Sequence, residues 1–239
     1  MRVGVCCPGG GGAGIAQVGM LKALKNVSVI SGASVGAINA AMFAQGSLKE
    51  LEELWLKVSQ KDVFKLGRPF YKTPLNNQPL FDLLDKHIDQ QKLIASDIKC
   101  FVAATDFETG TAVWADNFDS KFIDKLKGSV SIPIVFKEHA GLWDGAIVES
   151  QLTRPLVYYN CDVVFILHTR PKVVYGDSLI SKALRAFHQV YYQNTIRPSN
   201  IEFIDIYPKI KTGILEFNPK NARERIEDGY QQALSALSC

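Results

Sequence analysis

Three short segments carry residue types that could do nucleophilic chemistry. Gly32-Ala-Ser-Val-Gly36 has the G-x-S-x-G spacing. Small residues on both sides of a serine permit the sharp strand-to-helix turn that lifts a hydroxyl clear of a sheet, so Ser34 is a candidate nucleophile. Upstream, Gly9-Gly-Gly-Gly-Ala-Gly14 is a glycine run in which Gly9, Gly11 and Gly14 satisfy G-x-G-x-x-G. A bare backbone turn ahead of a helix offers free N–H groups to an anion, either a phosphate or a developing oxyanion. Downstream, Trp143-Asp-Gly-Ala146 presents the Asp144 carboxylate on a tight Asp-Gly turn.

Two nucleotide readings of the glycine run fail on its surroundings. A dinucleotide-binding turn expects an acidic residue about twenty positions on, to hold a ribose. The chain there reads Ile30-Ser-Gly-Ala-Ser34, with neither Asp nor Glu. A phosphate loop expects Gly-Lys-Ser/Thr, which does not follow. An ordinary α/β-hydrolase would order Ser34, Asp144 and then His168 or His188 along the chain. In that fold, however, the nucleophile comes after several strands, and here it follows only the second. His168 ends an apolar run and reads as a packed residue, whereas His87 and His188 read as surface positions on amphipathic helices. His139, close to Asp144, remains a candidate partner.

The elements that must position these groups alternate from end to end. Apolar, β-branched runs predict strands at 2–7, 27–31, 100–105, 111–115, 161–169 and 201–207. Helical spacing, such as Ile15, Val18, Leu21 and Leu24, predicts helices at 15–25, 37–45, 48–59, 80–88, 119–128, 178–195 and 221–237. Residues 60–79, rich in Pro, Gly and Asn, read as a long connection. This alternation implies one α/β domain over 1–239, with helices on both faces of the sheet.

The chain has 239 residues, 47% hydrophobic and 21% charged, as in ordinary globular proteins. A net charge of +3 gives no reason to expect a nucleic-acid partner. The five cysteines, at 6, 7, 100, 161 and 239, contain no C-x-x-C pair, so neither zinc ligation nor a disulfide framework is expected. No apolar run is long enough to span a membrane, and the N-terminus does not read as a cleavable signal. The expected compartment is cytoplasmic, with peripheral membrane contact and signal-less secretion left open. Residues 63–72 interleave Phe64, Leu66, Phe70 and Tyr71 with Lys65, Arg68 and Lys72, a pattern suited either to a membrane-contacting lid or to a connector packed on the core.

Taken together, the three motifs resemble the patatin-like phospholipase family. Gly14-Ile-Ala-Gln-Val-Gly-Met-Leu-Lys-Ala-Leu24 is similar to that family's first helix, and Ser131-Ile-Pro-Ile-Val-Phe136 to the segment before its aspartate. The resemblance implies a three-layer α/β/α sandwich around a mostly parallel sheet. It also implies hydrolysis of fatty-acyl esters of phospholipids, lysophospholipids or glycerolipids by a Ser34–Asp144 dyad, without metal or cofactor. Gly10, Gly11 and Gly12 would form the oxyanion hole, supported by Gly9, Gly14, Gly32, Gly36 and Gly145. Family members usually carry Arg or Lys where this chain has Ala13, so Ala13→Arg is expected to be tolerated. A catalytically weakened lipid-binding or regulatory protein on the same fold is the alternative.

Overall fold

The structure is a computed structural model and describes residues 1–67, 73–172 and 195–238. Six strands run side by side in one sheet: β6 (Ala112–Asp116), β5 (Lys99–Asp106), β2 (Val27–Ala33), β1 (Val3–Cys7), β8 (Val163–Leu167) and β9 (Glu202–Ile206). All neighbouring pairs on this path are parallel except β5 with β6. A two-residue strand, β7 (Leu142–Trp143), runs antiparallel to the end of β5. A separate hairpin pairs β3 (Lys65–Leu66) with β4 (Leu75–Asn76). Strand β1 lies between β2 and β8, so the chain leaves it to build first one side of the sheet and then the other. The carboxyl ends of strands at such a switch point are where open α/β sheets bind ligands.

The central strands are apolar on both faces because helices cover both. Val3, Val5, Cys7 and Ile30 join one core with α1 (Ile15–Ala23), α2 (Val35–Ala44), α3 (Leu48–Lys57), α5 (Gln78–His87), α7 (Phe122–Ser129) and α9 (Ala222–Leu237). The alternate residues Cys6, Val29 and Ala33 join a second core with Val148, Leu152 and Leu156, the last on α8 (Arg154–Tyr158). This period of two, apolar on both sides, is what a buried parallel strand requires. Helix α1 is buried almost all round, since α9 lies across its outer side. A side chain at Gly19 or at Gly229 would overlap the other helix's backbone, so α9 can approach α1 this closely only with glycine at both positions.

The expected elements are present with small shifts at their ends, except that the helix expected at 178–195, with His188, lies outside the described residues. The expected connection 60–79 holds short elements among its described residues. It contains α4 (Gln60–Val63), whose start is closed by a capping box in which the Ser59 N–H and hydroxyl both donate to Asp62 Oδ2, and the β3–β4 hairpin. Helices α6 (Gln90–Ile94) and α8 and strand β7 were not legible in the sequence, being too short to show a period. Among the described residues no helix is long and apolar enough to cross a membrane. The four described cysteines, Cys6, Cys7, Cys100 and Cys161, are buried.

Candidate active site

Three strand ends converge at the carboxyl edge of the sheet. Strand β1 runs into the glycine loop, β2 into Ser34, and β7 into Asp144. Ser34 has φ 54° and ψ −134°, a conformation that non-glycine residues seldom adopt and that marks the sharp turn into α2. A Cβ at Gly36 would overlap the Cys7 carbonyl, so only glycine lets α2 start this close to the end of β1. The strained turn is tied down by a buried hydroxyl. The Ser34 N–H donates to Ser129 Oγ at 2.8 Å, and Ser129 Oγ donates to the Ala103 carbonyl at 2.5 Å.

Asp144 is fixed from both sides of its peptide. Its N–H donates to the Ser131 carbonyl, and its carbonyl accepts from Thr105 Oγ1 at 2.9 Å. The carboxylate then meets the serine: Ser34 Oγ donates to Asp144 Oδ2 at 2.7 Å, while Asp144 Oδ1 accepts from the Ala146 N–H at 2.8 Å. Both side chains are buried. Burial pushes the Asp144 carboxyl up to about 6, against the two hydrogen bonds that favour its ionised form.

The glycine loop lies beside this pair. A Cβ on Gly9 would stand 3.0 Å from that of Ser34. The loop is held by residues that the motif reading missed. Gln17, fully buried on α1, donates to the Pro8 and Leu167 carbonyls and accepts from Asn39, whose Oδ1 in turn accepts from the Trp55 indole. Thr169 Oγ1 donates to the Gly9 carbonyl. Of the three expected oxyanion donors, the N–H groups of Gly10 and Gly11 have no acceptor among the described residues, whereas the Gly12 N–H donates to the Ile214 carbonyl at 2.6 Å. Ala13, where the resemblance would place Arg or Lys, is fully buried.

Ser34 and Gly11 open onto a cavity of about 340 Å3. Its walls are almost wholly apolar, with Ile38 and Met42 from α2, Leu54 from α3, Leu84 from α5, and Phe136 and Phe217 from loops. Val63 and Phe64 also face it. Phe64 is buried against Phe136 and Phe217, because α4 turns the start of segment 63–72 inward. These two residues are therefore core and not membrane-facing; Lys65 and Leu66 are exposed, and residues 68–72 lie outside the described residues.

Among the described residues no histidine joins the pair; His188 lies outside them. His139 bonds to Asp124 and packs edge-on against Phe81. His168 stacks flat on Tyr207 and bonds to Asp205, as expected of a packed residue. Burial pushes the Asp205 carboxyl up, but hydrogen bonds from Arg197 and His168 outweigh it and hold the group well below the usual carboxylate range. His87, expected at the surface, is partly buried instead, with Nδ1 bonded to Glu50 on α3, because α5 packs that face inward. Among the described residues no group of three His, Cys, Asp or Glu side chains is placed to hold a metal ion.

Comparisons with known proteins match the chain and its fold to a family. Uncharacterized NTE family proteins of Mycobacterium bovis and Mycobacterium tuberculosis are 25% identical over 173 residues, covering 68% of this chain and 47% of theirs. The chain thus spans about half the length of the curated relatives it matches. The crystal structure of VipD from Legionella pneumophila superposes with a TM-score of 0.53 at 14% identity, covering 99% of this chain and 66% of that one, a likeness of fold. A sequence model described as patatin-like phospholipase matches residues 5–157, more than half of the chain and all three chemical motifs. On that match the chain belongs to the patatin-like phospholipase family.

Proposed function

We propose that this protein is a serine acyl hydrolase that cleaves fatty-acyl esters of phospholipids, lysophospholipids or glycerolipids. The observation that carries the reading is the buried Ser34–Asp144 hydrogen bond at the mouth of an apolar cavity. The acyl chain enters the cavity and brings its ester carbonyl against Ser34. Asp144 Oδ2 takes the Ser34 proton as Oγ bonds to the carbonyl carbon. The oxyanion is received by the N–H groups of Gly10 and Gly11, while Gly12 remains bonded to Ile214. Collapse of the intermediate expels the alcohol, which takes the proton from Asp144 and leaves an acyl-Ser34 ester. Asp144 then deprotonates a water that hydrolyses this ester. A carboxylate near 6 suits the role: it is ionised at neutral pH and a stronger base than an exposed aspartate.

The engaged Gly12 N–H favours a second reading, a lipid-binding protein whose esterase site is closed. A fluorophosphonate probe separates the two. The hydrolase reading expects labelling of wild type, loss of labelling in Ser34→Ala, and retention in His139→Gln. A folded wild type that neither labels nor hydrolyses a short acyl ester would refute it.

A further inference from the structure

A run of glycines has no rigidity of its own. Position 13, within the run, holds a fully buried alanine. What grips the loop lies far downstream, beyond the segment matched to the family. Residues 209–217 cross the glycine run as a strap. The strap begins on α9, where Asp228 Oδ2 accepts from the N–H groups of Lys209 and Ile210. It turns tightly at Gly213–Glu216, with the Glu216 N–H bonded to the Gly213 carbonyl and the Gly213 N–H bonded to Glu216 Oε2. It ends at Phe217, stacked on Trp55 with ring centres 6.0 Å apart.

Within that turn the Ile214 carbonyl takes the Gly12 N–H. A Cβ on Gly11 would overlap the Ile214 carbonyl, and one on Gly12 the Glu216 carbonyl. Glycine at these two positions therefore makes room for the strap as much as for any substrate. The clasp is an ion pair: the guanidinium of Arg225, on α9, donates to Glu216 Oε1. Arg225 is buried, and its bond, with that of the Gly213 N–H, holds the Glu216 carboxyl below its ordinary range. A buried guanidinium is costly to leave without its partner, so the pair resists opening.

We infer that the strap is the brace of the oxyanion loop, and that Glu216 and Arg225 are positioning residues acting through the Ile214–Gly12 bond. The inference rests on the acyl-hydrolase reading for its kinetic consequence but not for its structural one. Tying the Gly12 peptide to Ile214 sets the planes of the preceding peptides, and so the direction of the Gly10 and Gly11 N–H groups.

The test is Glu216→Ala in the full chain; Glu216 is part-exposed, but the change leaves the buried Arg225 guanidinium unpaired and so also lowers stability, which the count of titrated sites registers separately. Two quantities are read: kcat on a short p-nitrophenyl ester, normalised to sites titrated with a fluorophosphonate, and hydrogen exchange of the Gly12 amide by NMR. We expect kcat per titrated site to fall by about ten- to a hundredfold, the scale of a sub-ångström to one-ångström misplacement. The Gly12 amide should lose its protection. Glu216→Gln should lie between, since its amide oxygen still accepts from Arg225. A loss of stability alone would lower the number of titrated sites and leave kcat per site unmoved. The inference is overturned if kcat per site stays within about twofold of wild type, or if Gly12 keeps its protection. A wild type that never labels would instead defeat the hydrolase reading, and Gly12 exchange would still decide the brace.

Discussion

Replacing Asp144 by Asn should inactivate the protein and stabilise it. The carboxyl is buried, and burial raises it from its ordinary 3.8 to about 6. At pH 7.5 it is ionised in both folded and unfolded chains, so the folded state bears the whole difference. Each unit is about 1.36 kcal/mol, giving about 3 kcal/mol of destabilisation. The sign follows from proton binding. Between 3.8 and about 6 the folded state holds the proton more tightly, so stability falls as pH rises through that window and stays low above it. Asn removes the charge and keeps an acceptor for the Ala146 N–H. Its amide nitrogen must face Ser34 Oγ, which then accepts where it donated, at a cost of about 1 kcal/mol. The net gain is about 2 kcal/mol at pH 7.5, or roughly 4–8 °C in Tm for a chain of this size. At pH 5 the gain from removing the charge should be about half as large, because Asp144 is then mostly protonated in the fold. Thermal unfolding of both proteins at the two pH values measures this, alongside ester hydrolysis, which should fall by more than about a thousandfold. An Asn variant less stable than wild type at pH 7.5, or a gain that does not shrink by pH 5, would refute the burial argument.

Three further outcomes follow from the same contacts. In wild type, kcat/KM should drop about tenfold per pH unit below about 6, because the base must be ionised, and a rate profile flat to pH 5 would remove Asp144 from that role. Ser129→Ala leaves the Ser34 N–H buried without its acceptor. It should cost about 1–3 kcal/mol in urea unfolding and lower kcat by about tenfold or more, with KM little changed. Ala13→Arg, which the family resemblance makes look tolerable, places a guanidinium at a fully buried site, and denaturant unfolding should show a loss on the order of 3 kcal/mol or more.

The sequence by itself determined the parts that are local. G-x-S-x-G at Ser34, the glycine run and the Asp144-Gly turn each depend on residues within one turn of chain. The turn each one makes is legible from those residues, whereas the choice between a phosphate and an oxyanion at the glycine run already needed its surroundings. The alternation of apolar runs and helical spacing likewise determined an α/β sandwich, because a strand apolar on both faces must be covered by helices on both. Ser34 and Asp144, however, lie 110 positions apart, and only the pairing of β7 with the end of β5 brings them to 2.7 Å. The inward turn of Phe64 was open in the sequence, which shows aromatic residues among lysines but not which side of the chain meets the core. The strap carries no periodic signal at all: its role comes from one backbone carbonyl, Ile214, and every residue type has a backbone carbonyl. Such contacts are decided by sheet register and by how closely α9 settles on α1, and these exist only once the whole chain has packed.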